Sequence, residues 1–362
     1  KNLLPDGAAN NGTVTITVDM PENTGNIQAW YAAKQDDNSW MYIEELTTTT
    51  VEDEDKVAIQ IGHLSSIVLR TSAPSDEERA AASVTKEDGT ETNYSTLQAA
   101  IGAAEADNTV TLLKDVALTE GVGVNRKLTL DLNGNTISAS DSWSGSDYLV
   151  VVNRGGNLTI ADSSQDNSGA ICTGTDNSNI YAAVKLTLAE DPVENKATLT
   201  VNGGTLQGYY YGISGNGTRH GTNVTINGGK IIGTNGAGIY HPQDGILTIK
   251  GGELSGLNTA VELRSGTLNI SGGTFTATAT EYKEEENSSG TTVSGAAIAI
   301  SQHTTKKEIS VTISGGTFNG VYALSETNVQ NSTETGDVKI VTISGGTFKG
   351  KVQSDDCTSF IS

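Results

Sequence analysis

Leu199–Leu206 reads LTVNGGTL, and five later stretches repeat its plan: VTINGGKI from Val224, LTIKGGEL from Leu247, LNISGGTF from Leu268, and VTISGGTF from Val311 and again from Val341. The second glycines, Gly204, Gly229, Gly252, Gly273, Gly316 and Gly346, are spaced by 25, 23, 21, 43 and 30 residues. A period in the low twenties is that of a solenoid, in which each repeat is one coil that buries its apolar side against its neighbours. Within a copy the pattern has period 2, so Leu199 and Val201, Val224 and Ile226, and Leu247 and Ile249 face inward. Thr200, Thr225, Thr248, Thr312 and Thr342 then form an outer ladder. The glycines turn a corner, where positive φ costs them little.

Beyond the corner the core column continues as Leu206, Ile231, Leu254, Phe275, Phe318 and Phe348, which holds three of the chain's four phenylalanines. A further strand precedes each next copy: YYGIS around Ile213, AGIYH around Ile239, TAVEL around Val261, AAIAI around Ile298 and YALSE around Leu324. Three short strands per turn, without a Leu-x-x-Leu-x-Leu framework or a six-residue repeat, favour a right-handed parallel β-helix over a leucine-rich horseshoe or a left-handed hexapeptide helix. The spacing of 43 is one long coil whose excess lies in Ala277 to Ser294.

The expected fold class is therefore all-β: a right-handed parallel β-helix solenoid with an N-terminal helical cap, preceded by a small β-sandwich-like domain. Residues 1–74 lack the repeat, and alternate as strands over Gly12 to Asp19, Ile27 to Ala33, Trp40 to Leu46 and Lys56 to Leu69. Residues 75–93 read as a connector, its PSDEERAAA segment from Pro74 to Ala82 being charged linker or short helix, and residues 94–362 as the solenoid. The cap is Ser95 to Ala106, with Ser95 as N-cap and Leu97, Ala100, Ile101 and Ala104 as one apolar stripe. About ten coils follow, a rod of roughly 50 Å. The tail Cys357 to Ser362 resembles the opening of another coil, which reads as truncation.

A net charge of −21 argues against nucleic acid or an anionic membrane as partner, because phosphate recognition needs clustered Lys and Arg. No run of eighteen apolar residues exists to insert into a membrane, and no signal peptide is visible, so the chain reads as a mature or trimmed segment and a monomer. Cys172 and Cys357 lie about six coils apart at roughly 4.8 Å each, beyond disulfide reach.

YSTLQAAIGAA (Tyr94 to Ala104), TVTLLKDV (Thr109 to Val116), LTLDLNGNTI (Leu128 to Ile137) and the GGTF copies together resemble the repetitive β-helix, adhesin-like surface proteins of Gram-positive gut bacteria. GHLSSIVL from Gly62 is similar to the closing His-x-Ser strand of small sandwich domains in such proteins, with Leu64 where an aromatic is usual. The resemblance implies an exported, wall-associated protein of pectin-lyase-like fold. It supplies no catalytic residue, and the fold hosts enzymes and binding modules alike.

A hydrolase of this fold needs paired carboxylates on neighbouring strands, whereas the outward positions here are Thr, Asn, Ser and Lys. Arg219-His220-Gly221 is the nearest fragment of a polygalacturonase pattern and lacks its aspartates. No acidic cluster for a calcium-dependent lyase is evident; calcium is the one cofactor left open, at Asp162 and Asp166, where a solvated polar turn is the competing and favoured reading. Stacking gathers Tyr210, Tyr240, His241, Glu262 and Arg264 on one outward face, with His220 in the same class of loop, an assortment suited to a glycan. Ordinary loop decoration is the alternative. Tyr211 and Tyr322 are expected in the core. Trp30, Tyr31, Trp40 and Tyr42 offer a second sugar platform or the core of the first domain, and Glu281 to Glu286 a partner-binding projection or a solvated loop. The function expected is a non-catalytic surface adhesin that binds glycans or surface proteins; the alternatives are a polysaccharide lyase or hydrolase, and a structural stalk.

Overall fold

The glycine-doublet strands stack as parallel ladders. Leu199 pairs with Val224, and Leu247, Leu268, Val311 and Val341 follow in the same column, every one of them buried. The outer column runs Thr109, Thr129, Thr159, Thr200, Thr225 and Thr248, then Asn269, Thr312 and Thr342. The column after the corner is also continuous from Leu206 to Phe348. Its three phenylalanine rings stack at centroid separations of 4.8 and 4.7 Å, as identical side chains in register must when coils are one strand-spacing apart.

The computed structural model describes residues 14–19, 27–35, 39–50, 56–61, 66–75, 78–145, 147–174, 178–187, 195–217, 220–288, 290–327, 338–354 and 357–359. Three strands per coil build three parallel walls around one apolar core. The first wall runs from Asn108–Leu112 to Cys357–Ser359, the second starts at Val116–Leu118 and the third at Val122–Val124. Thr317–Thr327 passes unbroken from the second wall into the third, pairing with Thr274–Ala277 and then with Ala296–Ser301.

The doublet serves two separate needs. From the second copy onward a Cβ on the first glycine would strike the preceding coil: on Gly228 it would stand 2.9 Å from the Asn202 carbonyl oxygen. The second glycine carries the positive φ, +83° at Gly229, where a Cβ would also lie 2.7 Å from the Gly204 oxygen. The corner is thus closed to side chains because coils repeat at hydrogen-bonding distance.

The helix is Leu97–Ala103, with Thr96 rather than Ser95 as N-cap: Thr96 is extended and its hydroxyl accepts from the Ala99 amide. Leu97, Ala100, Ile101 and Ala104 all join the solenoid core. Residues 75–93, expected to be a connector, carry the hairpin Ala82–Thr85 and Glu91–Tyr94, whose first strand pairs antiparallel with Asn108–Leu112. No helix forms among the described residues of the PSDEERAAA segment.

The strands between Val14 and Arg70 form two three-stranded sheets. Ala29, Tyr31, Leu46, Val57, Ile59 and Ile61 form the core they share. The expected run Lys56 to Leu69 splits into Lys56–Ile61 in one sheet and Ile67–Arg70 in the other. His63, Leu64 and Ser65 lie outside the described residues. The Tyr42 carbonyl accepts from the Ala80 amide and the Tyr42 amide donates to the Glu78 carbonyl, both at 2.7 Å, which ties the following segment to Trp40–Leu46 by one parallel bridge.

Candidate functional site

The third wall departs from period 2. Ala260 and Val261 both enter the core, as do Ala297 and Ile298 and also Ala183 and Val184. Two neighbours turned inward shift the residue before them to the outside, which brings out Tyr211 and Tyr322, both expected in the core. Tyr211 stacks on Tyr240 at 5.1 Å and 21°, and Tyr322 meets Tyr282 at 4.0 Å. Their outward placement corrects the reading from simple alternation.

On this face Lys185, Ser214, Tyr240 and Glu262 share one column, and Tyr148, Ala182, Tyr211, Ala237 and Thr259 another. The tyrosines touch in sequence. Tyr181 meets Tyr210 edge to face at 5.5 Å, Tyr209 meets Tyr210 at 4.7 Å, Tyr210 meets Tyr211 at 6.2 Å, and Tyr211 stacks on Tyr240. Tyr181 is 40% exposed, while Tyr209, Tyr210, Tyr211 and Tyr240 are half-buried. Burial pushes the Tyr240 hydroxyl up to about 12 and raises that of Tyr211, so both are protonated donors at neutral pH.

His241, Glu262 and Arg264 do not reach solvent, with 2%, 3% and 2% of their surface exposed. Arg264 is covered by the long coil: its excess folds as the hairpin Lys283–Asn287 and Gly290–Ser294, and Thr292 accepts from Arg264 Nη2 at 3.1 Å. Arg264 also holds Glu262 Oε1 through Nε at 2.7 Å and Nη2 at 2.6 Å, while its guanidinium lies 5.5 Å from the centre of the Tyr240 ring. Burial raises the Glu262 carboxyl, against Arg264. For the Arg264 guanidinium burial is the largest influence and lowers it, but Glu262 and Tyr240 outweigh that and ionisation is held higher still. Burial drives His241 down to about 4, partly offset by a hydrogen bond with the Gly245 backbone, so the ring is neutral at pH 7. These residues are a packed polar layer behind Tyr240. His220 begins the strand His220–Ile226, in register with Asp244; its side chain lies outside the described residues.

No family model, curated protein or solved structure matches this chain.

Asp162 is spent on the fold: Oδ1 accepts from Gly134 N and from Ser164 N and Oγ, and Oδ2 from Gly169 N. Among the described residues no group of three or more His, Cys, Asp or Glu is placed to hold a metal ion. Trp30, Tyr31 and Tyr42 are buried, and Trp30 packs edge to face on Tyr42 at 6.3 Å with Arg79 and Arg70 over the two rings. Trp30 and Tyr42 cluster with Ala32, whereas Tyr31 packs in the core between the two sheets. Of the acidic run, Tyr282 donates to Glu284 at 2.6 Å while Lys283–Asn287 stays exposed.

Sequence reasoning missed Tyr148, Tyr181, Tyr209 and Tyr211, together with Lys185, which sits 4.1 Å from the centre of the Tyr148 ring. The available signal was a small residue before the β-branched core residue in five of the third strands: Ala183-Val184, Gly212-Ile213, Gly238-Ile239, Ala260-Val261 and Ala297-Ile298. Leu149-Val150 does the same with a large first residue, both side chains lying in the core.

Proposed function

We propose that this protein is a non-catalytic, adhesin-like surface rod whose third wall binds glycans through the tyrosine face. The solenoid is read as right-handed, with the helix Leu97–Ala103 capping its first coil and the sandwich of residues 1–74 as a separate domain. The rod is a monomer displayed at a bacterial cell wall or surface. The observation that carries the reading is the unbroken contact of Tyr181, Tyr210, Tyr211 and Tyr240 across three coils on a face that retains solvent access. Tyrosine suits this task because its ring is apolar and its hydroxyl polar, matching a sugar's C–H face and its hydroxyls at once. A continuous ladder is also what a polymer, rather than a single small molecule, would engage.

A glycan array probed with the full chain tests the reading. Binding is expected, and Tyr210→Ala should reduce it at least tenfold without altering the melting temperature by more than a few degrees. Release of reducing ends from a polysaccharide, abolished by Glu262→Gln, would instead make the protein an enzyme. An array silent for the folded chain would remove glycan attachment.

A further inference from the structure

From the electrostatics of the tyrosine face we infer the class of its ligand: an uncharged polysaccharide lying along the rod axis, its sugars in step with the coils. This rests on the glycan-binding reading and narrows it. Coils repeat at about 4.8 Å, close to the length of one pyranose unit, so a chain along the axis meets equivalent positions coil after coil. The rings divide the work. Tyr211 and Tyr240, stacked at 21°, cover each other's faces and present edges and hydroxyls. The contacts of Tyr181 and Tyr209 with Tyr210, at 70° and 85°, are edge to face and leave ring faces for stacking against C–H surfaces.

Charge selects among glycans. The chain carries −21 overall, and among the described residues Arg264 and Lys185 are the cations beside the tyrosines. Arg264 is bound by Glu262 beneath Tyr240, and Lys185 rests on the Tyr148 ring, where burial, only partly opposed by Asp147, disfavours its charge. Recruiting Arg264 to a uronate or sulfate would strip Glu262 of its partner. Beyond Arg264 stands the hairpin, with Glu284, Glu285 and Glu286 exposed on its outer strand. A polyanion running along this face would meet that acidic wall, whereas a neutral chain loses nothing there. The same hairpin closes the face at one end, which sets the direction from which a long chain extends.

Calorimetric titration of the full chain with cellohexaose, xylohexaose and mannohexaose, against hexagalacturonate of equal length, tests the inference. At least one uncharged hexamer should bind, more tightly than its trimer. Tyr181→Ala and Tyr210→Ala should each weaken it tenfold or more, and Tyr210→Phe should preserve most of it. Because Tyr181 is 40% exposed, its replacement leaves a folded control even where Tyr210→Ala disturbs packing. Tighter binding of hexagalacturonate than of every uncharged hexamer, still dependent on Tyr181, would overturn the ligand class while leaving glycan attachment standing. Binding of an uncharged hexamer indifferent to both tyrosines would overturn the site. Silence of all four probes together with a silent array would remove both readings.

Discussion

The first and third walls of the solenoid share a core, a coil spacing and a chain direction, yet they treat polar residues differently. In the first wall strict alternation sends Thr200, Thr225 and Thr248 to solvent and Leu199, Val224 and Leu247 to the core. In the third wall Ala260-Val261 and its counterparts take two inward positions, and the columns beside them carry Tyr240, Glu262 and Tyr211. The lesson is that a regular ladder consumes its outer positions in repetition, whereas a stepped strand frees them. The hairpin then converts part of the third wall's exterior into an interior, and ionisable groups become buried without entering the apolar core.

Substitutions can break this comparison, and the largest effect belongs to the first wall. Ile249→Asp places an unpaired carboxylate in the aliphatic stack and should cost about 5 kcal/mol or more, seen as loss of a cooperative urea transition. If Ile249→Asp melts like the parent, the ladder does not exclude charge. Next comes the third wall: Arg264→Met strands Glu262 and should cost about 3–5 kcal/mol, while adding Glu262→Gln should recover much of that. A double-mutant cycle by urea unfolding measures the coupling, and a strictly additive pair would show that the two charges do not depend on each other. Replacing Arg264 is therefore a stability experiment, although the sequence placed it on an outward face.

His241 adds a pH signature to the third wall. Its folded pKa, about 4, lies below the ordinary value of 6.5, so the unfolded chain binds the extra proton first. Stability is fully present above about pH 6.5 and declines toward pH 4, by on the order of 3 kcal/mol from this residue. His241→Leu should show a flatter dependence over that window, and equal slopes would place the ring in water. The smallest effect tests the corner. Gly229→Ala should cost about 2 kcal/mol, and Gly89→Ala, at φ +82° with open space around it, only about 1 kcal/mol. Equal costs would mean that backbone conformation alone demands glycine.

The parts that could be read from the sequence were those repeated at fixed offsets. The column from Leu206 to Phe348 and the threonine ladder depend on local alternation plus stacking, and both are fully written in the repeats. Tyr240 and Glu262 fell in one column as expected. The burial of Glu262 and Arg264 was not visible, because the segment that covers Arg264 comes about 30 residues later, in the longest of the coils between glycine doublets. Tyr211 was misplaced because period-2 reasoning cannot register two inward neighbours. The connector concealed a hairpin because Ala82–Thr85 earns its strand from pairing with Asn108–Leu112, beyond any local pattern.

One property of the stacked coils bears on how such a rod carries load. Every wall is a ladder between neighbouring coils, so the hydrogen bonds point along the long axis. Tension applied to the two ends loads these ladders in series, and a coil at the end peels before any coil within. Each event releases one repeat of chain: 21 to 25 residues for the three shortest intervals and 43 for the one that holds the hairpin. At about 3.5 Å per residue, the long coil yields roughly 150 Å of extension in a single step. The insertion that walls off the tyrosine face is thereby also the largest reserve of slack in the rod.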